Sequence, residues 1–131
     1  MARKLVSSGS YLEPEIGFSR AVRVGNQISI AGTAPIAAAG GTDGAGDVYR
    51  QTVRCLEIIR AALEEAGAGL HDVIRTRVML TDIKDWKKAA RAHGEMFTDI
   101  RPACTFVEVS GFIDPEWLVE LEADAVLSGE V

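Results

Sequence analysis

The chain has 131 residues, of which 47% are apolar and 25% charged, with a net charge of −5 and a pI near 5.0. That composition belongs to a soluble globular protein, and the length supports one core, so residues 1–131 read as a single domain. The acidic balance argues against nucleic acid or an anionic membrane as partner, since either would be met by a basic stripe.

No apolar run nears the roughly 18–20 residues of a membrane span. Met1-Ala2-Arg3-Lys4 lacks a signal-like apolar core behind its charges. Cys55 and Cys104 fall on different predicted elements, with no spacing that suggests metal or redox work. A reduced, cytoplasmic protein is expected.

In chain order, Lys4–Ser7 reads as a short edge strand. Ala21–Val24 and Gln27–Ala31 flank Gly25-Asn26, a two-residue hairpin signal because both residues tolerate positive φ. Thr33 to Gly46 is rich in Gly, Ala and Thr and reads as a long flexible loop; its glycines match no phosphate-binding fingerprint. Asp47 fits a helix N-cap. Val48, Thr52, Cys55, Ile59, Ala62, Leu63 and Ala66 then recur at helical spacing up to Gly67, placed as a helix-ending glycine. Val73–Leu80 alternates as a strand, a second helix runs from Asp82 or Asp85 through Trp86 and His93 to Phe97, and Ala103–Val109 and Leu118–Val126 close the chain as strands.

Parity within these strands predicts a sheet with one apolar face for the two helices to cover. The other face is predicted to carry Arg75 and Arg77 of the middle strand, Cys104, Phe106 and Glu108, and Glu120, Glu122 and Asp124. Such a face is solvated or forms a polar interface with other copies. Glu120 is accordingly read either as an ion-pair partner of Arg75 or Arg77 or as a water-activating carboxylate in a cleft. His93 reads as a packed histidine, and His71 has no partner spacing that would hold a metal.

Gly17-Phe18-Ser19-Arg20-Ala21-Val22, Val24-Gly25-Asn26, Ala31-Gly32-Thr33, Val78-Met79-Leu80-Thr81-Asp82, Pro102-Ala103 and Val119-Glu120-Leu121-Glu122 stand in an order and spacing that resemble the Rid (YjgF-like) family of reactive-intermediate imine deaminases. The resemblance covers nearly the whole chain. It implies an α+β, chorismate-mutase-like subunit: a mixed sheet of about six strands with two helices on one face. It also implies a homotrimer with clefts between neighbouring subunits that bind a small molecule, such as a carboxylate, and no cofactor.

Active members are similar in surrounding the imine with an arginine, a cysteine, a tyrosine, an asparagine and a glutamate. Carried over by position, the arginine is replaced by Cys104, the cysteine by Phe106, the tyrosine by Phe18 and the asparagine by Ala90, while the glutamate is kept as Glu120. Neither Cys104 nor Phe106 can offer a bidentate fork to a carboxylate. Arg101 and Thr33 are the residues nearest the cleft that could take over.

Two functions are therefore expected. The first is a metabolite-binding Rid-like trimer with its ordinary 2-imino acid deaminase activity lost or altered. The second is a hydrolase of an unusual imine or enamine that uses Glu120. A binding or chaperone-like role of the trimer surface is a third.

Overall fold

The computed structural model describes residues 2–128. Six strands form one mixed sheet: β1 (Arg3–Val6), β2 (Ala21–Val24), β3 (Gln27–Thr33), β4 (Val73–Leu80), β5 (Ala103–Glu108) and β6 (Val119–Val126). Their spatial order is β1-β2-β3-β6-β4-β5. The helices are α1 (Leu12–Ile16), α2 (Val48–Glu65) and α3 (Trp86–Phe97). Only β4 and β5 pair in parallel, as they must when α3 crosses over between them.

Local chemistry explains the elements. The turn between β2 and β3 uses Gly25 at φ 59°. The Asp47 carboxylate accepts from the Arg50 backbone N–H at 3.0 Å, which satisfies one of the free donors at the start of α2. At the other end Gly67 has φ +90°, a conformation that strains any other residue, and a Cβ there would displace Arg23 Nη1, 2.7 Å away. That Arg23 nitrogen donates to the Ala66 carbonyl at 2.7 Å and closes the helix end.

The face that α2 and α3 cover holds the core. Cys55, Leu56, Ile59 and Leu63 of α2, with Ala89 and Phe97 of α3, pack on Ile28, Ile30, Val78, Leu80, Val119 and Leu121. Fully burying each large apolar side chain here contributes about 1.5–3 kcal/mol. Cys55 is wholly buried, and burial pushes its thiol well above the ordinary value, as suits an inert core residue.

Three expectations change. Leu12–Ile16 forms a short helix that sequence periodicity does not show, because five residues make little more than one turn. Strict alternation along β4 would put Ile74 on the inward face with Thr76 and Val78, but the ladder between β4 and β6 slips between Val73 and Arg75, and Ile74 is exposed.

The segment 33–46 is held in place rather than flexible. Ile36 bridges to Thr42, Arg54 Nε donates to the Ile36 carbonyl at 2.7 Å, and Arg50 clamps Asp43 at 2.8 and 2.9 Å.

Candidate functional site

The strand register decides which side chains can meet. Thr76, Val78 and Leu80 of β4 face the helices, and the residues paired to them on β5 are Cys104, Phe106 and Glu108. The residues paired to them on β6 are Ala123, Leu121 and Val119. Cys104 and Phe106 therefore lie on the helix side, not on the face of Glu120. The face assignment predicted for β5 is reversed, and Ala103, Thr105 and Val107 are the residues of β5 that share the open face with Glu120. Parity within β5 was legible, but its register against β4 was not, because this edge strand is exposed along most of its length and carries no clear apolar side.

Glu120 does not pair with an arginine of the sheet. Arg77 pairs with Glu122, Arg75 lies opposite Asp124, and the residue opposite Glu120 is Met79. Its carboxylate instead rests on the backbone of β3. The β3–β6 ladder slips between Ile30 and Thr33, which brings Gly32 against it. A Cβ at position 32 would sit 3.1 Å from Glu120 Oε1, tighter than ordinary contact, so a side chain there would push the carboxylate back by a few tenths of an ångström.

Arg20 completes this site, a role that no sequence pattern assigns to it. Its residue exposure is only 3%. Nε donates to Ser8 Oγ at 3.1 Å, and Nη1 donates to the Gly32 carbonyl at 2.7 Å and to Thr33 Oγ1 at 3.1 Å. Its guanidinium stands 5.2 Å from the centre of the Phe18 ring. A buried arginine needs compensating charge. Burial lowers its pKa, while Glu13 and Glu120 act in the opposite sense. Glu13 is fixed by the Ser8 N–H at 3.0 Å, Ser8 Oγ at 2.9 Å and the Ser10 N–H at 3.2 Å.

Together Phe18, Arg20, Gly32, Trp117 and Glu120 line a pocket of 180 Å³, with the exposed Ile113 at its rim. Trp117 is buried and its segment is held by Gln51 of α2. That amide donates to the Glu116 carbonyl at 3.0 Å and accepts from the Leu118 N–H at 2.8 Å. The pocket is a small, mostly apolar cleft with two convergent charged groups.

The other predicted site residues are elsewhere. Thr33 is buried behind the pocket, accepting from Arg20 and donating to the Ala31 carbonyl at 2.8 Å. Phe106 packs on His93, ring centres 6.4 Å apart, and His93 in turn stacks on Phe97 at 4.6 Å and bonds Thr76 Oγ1 at 2.8 Å. Cys104 is exposed on the same side. Ala90 sits half-buried on α3.

Arg101 is exposed, has φ 59°, and lines a shallow cavity with His93, Phe97, Thr98 and Pro102. Arg101 thus lies on the α3–β5 side with Cys104 and Phe106, away from Glu120 of its own chain; the arginine that lines the Glu120 pocket is Arg20. Arginines are seldom so buried, and only the position of Arg20 in Gly17-Phe18-Ser19-Arg20 could have drawn attention to it.

Burial raises the pKa of Glu120 above the ordinary 4.5; Arg20 opposes this and Glu122 adds to it. Ionised Glu120 thus costs the fold stability at neutral pH. The stabilisation from its neutral form is fully present below 4.5 and is lost as pH rises through the raised folded value. Glu120→Gln should accordingly melt above the wild type at pH 7, with the gap closing towards pH 4.5. A lower melting temperature for the variant at pH 7 would show the carboxylate to be stabilising instead.

The chain is thus an α+β fold with a charged pocket where the bulged β3 meets β6. The sequence profile of the family described as Endoribonuclease L-PSP matches residues 9–127. The chain belongs to this family, the YjgF/Rid family.

The chain is similar to a member of the YjgF/YER057c/UK114 family from Mycobacterium tuberculosis, whose crystal structure superposes with a TM-score of 0.86 at 44% identity, covering 96% of this chain and 100% of that one. It is 39% identical over 125 residues to a RutC family protein of Pyrococcus abyssi, which spans 95% of this chain and 98% of the relative. It is 27% identical over 125 residues to the 3-aminoacrylate deaminase RutC of Acinetobacter baylyi, again 95% and 98% of the two chains.

Proposed function

We propose that this chain is a metabolite-binding member of the Rid family that takes a small ligand in the Glu120 pocket, with ordinary 2-imino acid deaminase activity lost or altered. The observation that carries this reading is the pairing of an available carboxylate, Glu120, with a pocket walled by Phe18 and Trp117. Position 104, where the resemblance expects the substrate-holding arginine, carries a free cysteine. A base without that clamp orients a 2-imino acid poorly.

Cys104 and Glu120 lie on opposite faces of the sheet, with β4 between their strands. They can share a cleft only if one comes from a neighbouring copy. The reading therefore includes a homotrimer whose clefts join the Glu120 pocket of one subunit to the α3–β5 side of the next. Arg101, Ala90, Cys104 and Phe106 would line the second wall. Light scattering on a chromatographed sample is expected to give the mass of three 14.0 kDa chains. A stable monomer at micromolar concentration would remove the shared cleft.

A second reading is hydrolysis of an unusual imine or enamine. Its support is the chemistry of Glu120, a half-buried carboxyl with raised proton affinity that could activate water or protonate an enamine carbon. The likeness to a 3-aminoacrylate deaminase points to the same chemistry. The net charge of −5 weighs against an RNA backbone as ligand. Among the described residues no helix is long and apolar enough to cross a membrane, and we read the protein as cytoplasmic.

A further inference from the structure

A second cavity, of 220 Å³, adjoins the Glu120 pocket and shares Arg20 with it. Its walls are the Ser8–Tyr11 segment, the loop from Thr33 to Gly40, and Arg54 and Ile58 of α2. Two arginines line it and no carboxylate does. The carboxylates that act on them stand outside it: Glu13 is held by Ser8 and Ser10, Glu120 belongs to the other pocket, and Glu57 is 3.6 Å from Arg54 Nη1 in a neighbouring groove.

Donors remain available on both guanidinium groups. Arg20 uses Nε and Nη1, and its Nη2 donates to no described residue. Among the described residues the one sealed side-chain polar atom without a partner is Thr42 Oγ1, so Arg20 Nη2 is open to the space around it. Arg54 uses Nε on the Ile36 carbonyl and faces Glu57 through Nη1, which leaves its Nη2. The hydroxyl of Ser10 accepts from the Leu12 N–H at 3.3 Å and keeps its own proton to donate.

We propose that this chamber is an anion site, distinct from the Glu120 pocket, which holds a small phosphate- or carboxylate-bearing molecule between Arg20 and Arg54. A buried guanidinium (Arg20) and a half-buried one (Arg54) with unused N–H donors are matched by an oxyanion, which accepts two such bonds at once and supplies the charge the cavity lacks. Arg20 contributes a rigid donor fixed by three hydrogen bonds, and Arg54 closes the chamber from the helix.

Inorganic phosphate and succinate, titrated separately at low ionic strength and followed by isoleucine-methyl NMR and calorimetry, test the site and distinguish the two anion types. Ile58 lines the chamber and not the Glu120 pocket, whereas Ile113 lines the Glu120 pocket and not the chamber. Binding of at least one of the two is expected to shift Ile58.

Arg54→Gln, which keeps an amide to bond the Ile36 carbonyl, is expected to weaken that binding at least about tenfold through loss of a charge-assisted hydrogen bond. Ala38→Glu places a carboxylate at an exposed wall residue and is expected to abolish the binding without disturbing the fold. Saturating phosphate and succinate that leave Ile58 unmoved, or affinity unchanged in both variants, would overturn the site. Shifts at Ile113 alone would also overturn it, while leaving the Glu120 pocket a ligand site.

Discussion

Arg20→Ala is expected to destabilise the protein by about 3–5 kcal/mol, the range seen when one partner of a buried charge system is removed. The loss has several parts. Gly32 O, Thr33 Oγ1 and Ser8 Oγ each lose the donor that satisfies them, and the buried Glu13 and half-buried Glu120 lose the cation between them. For a chain of this size the melting temperature should fall by about 10–20 °C.

Arg20→Lys should recover only part of this, because an ammonium cannot reproduce the planar fork that reaches Ser8 and Gly32 together. Denaturant titration gives the number directly. A loss below about 1 kcal/mol would mean that water replaces the guanidinium, as it does for exposed ion pairs. Arg20 would then be a ligand residue rather than a structural one.

The largest effect on activity is expected at position 104. Wild-type protein should hydrolyse 2-iminobutanoate, generated in situ from an amino acid, barely above background. Cys104→Arg should raise the rate between about tenfold and a thousandfold, since a buried charge partner is worth a few kcal/mol and each 1.36 kcal/mol is a factor of ten. Within its own chain the arginine displaces no core contact, because Cys104 is exposed there.

A single substitution is the cleaner experiment. Adding Phe106→Cys would remove the ring packed against His93 and the core. Glu120→Gln on the Cys104→Arg background should abolish the gain. Robust turnover by the wild type would instead favour the hydrolase reading, and a folded but inert Cys104→Arg trimer would mean that no neighbouring Glu120 pocket faces position 104.

What could be read from the sequence follows from which interactions are local. The α2 helix was legible because its cap at Asp47, its apolar spacing and its terminal Gly67 all lie within one segment, and the helix occupies Val48–Glu65 as expected. The β2–β3 hairpin and strands β4, β5 and β6 were legible for the same reason.

What was hidden depends on contacts between distant residues. Glu120 carries no sign in its own strand that its neighbour will be Met79 rather than Arg77, since that is set by register. Arg20 is buried by a bulge thirteen residues away and by a helix of five residues, neither of which leaves a periodic trace. Cys104 and Phe106 are predicted on the face opposite to the one they occupy, because β5 has neighbours on one side only and shows little alternation in burial. The loop 33–46 looked free for its glycines and alanines, whereas it is anchored by Arg50 and Arg54 on the helix that follows.

A crystal structure of the protein soaked with 2-oxobutanoate, the stable product of 2-iminobutanoate hydrolysis, tests the Glu120 pocket as the ligand site most directly. The predicted result is a keto acid seated among Phe18, Trp117 and Glu120 of one subunit, with Cys104 of a neighbouring copy on the opposite wall. A keto acid found only between Arg20 and Arg54, or a Glu120 pocket left empty at saturating concentration, would contradict it.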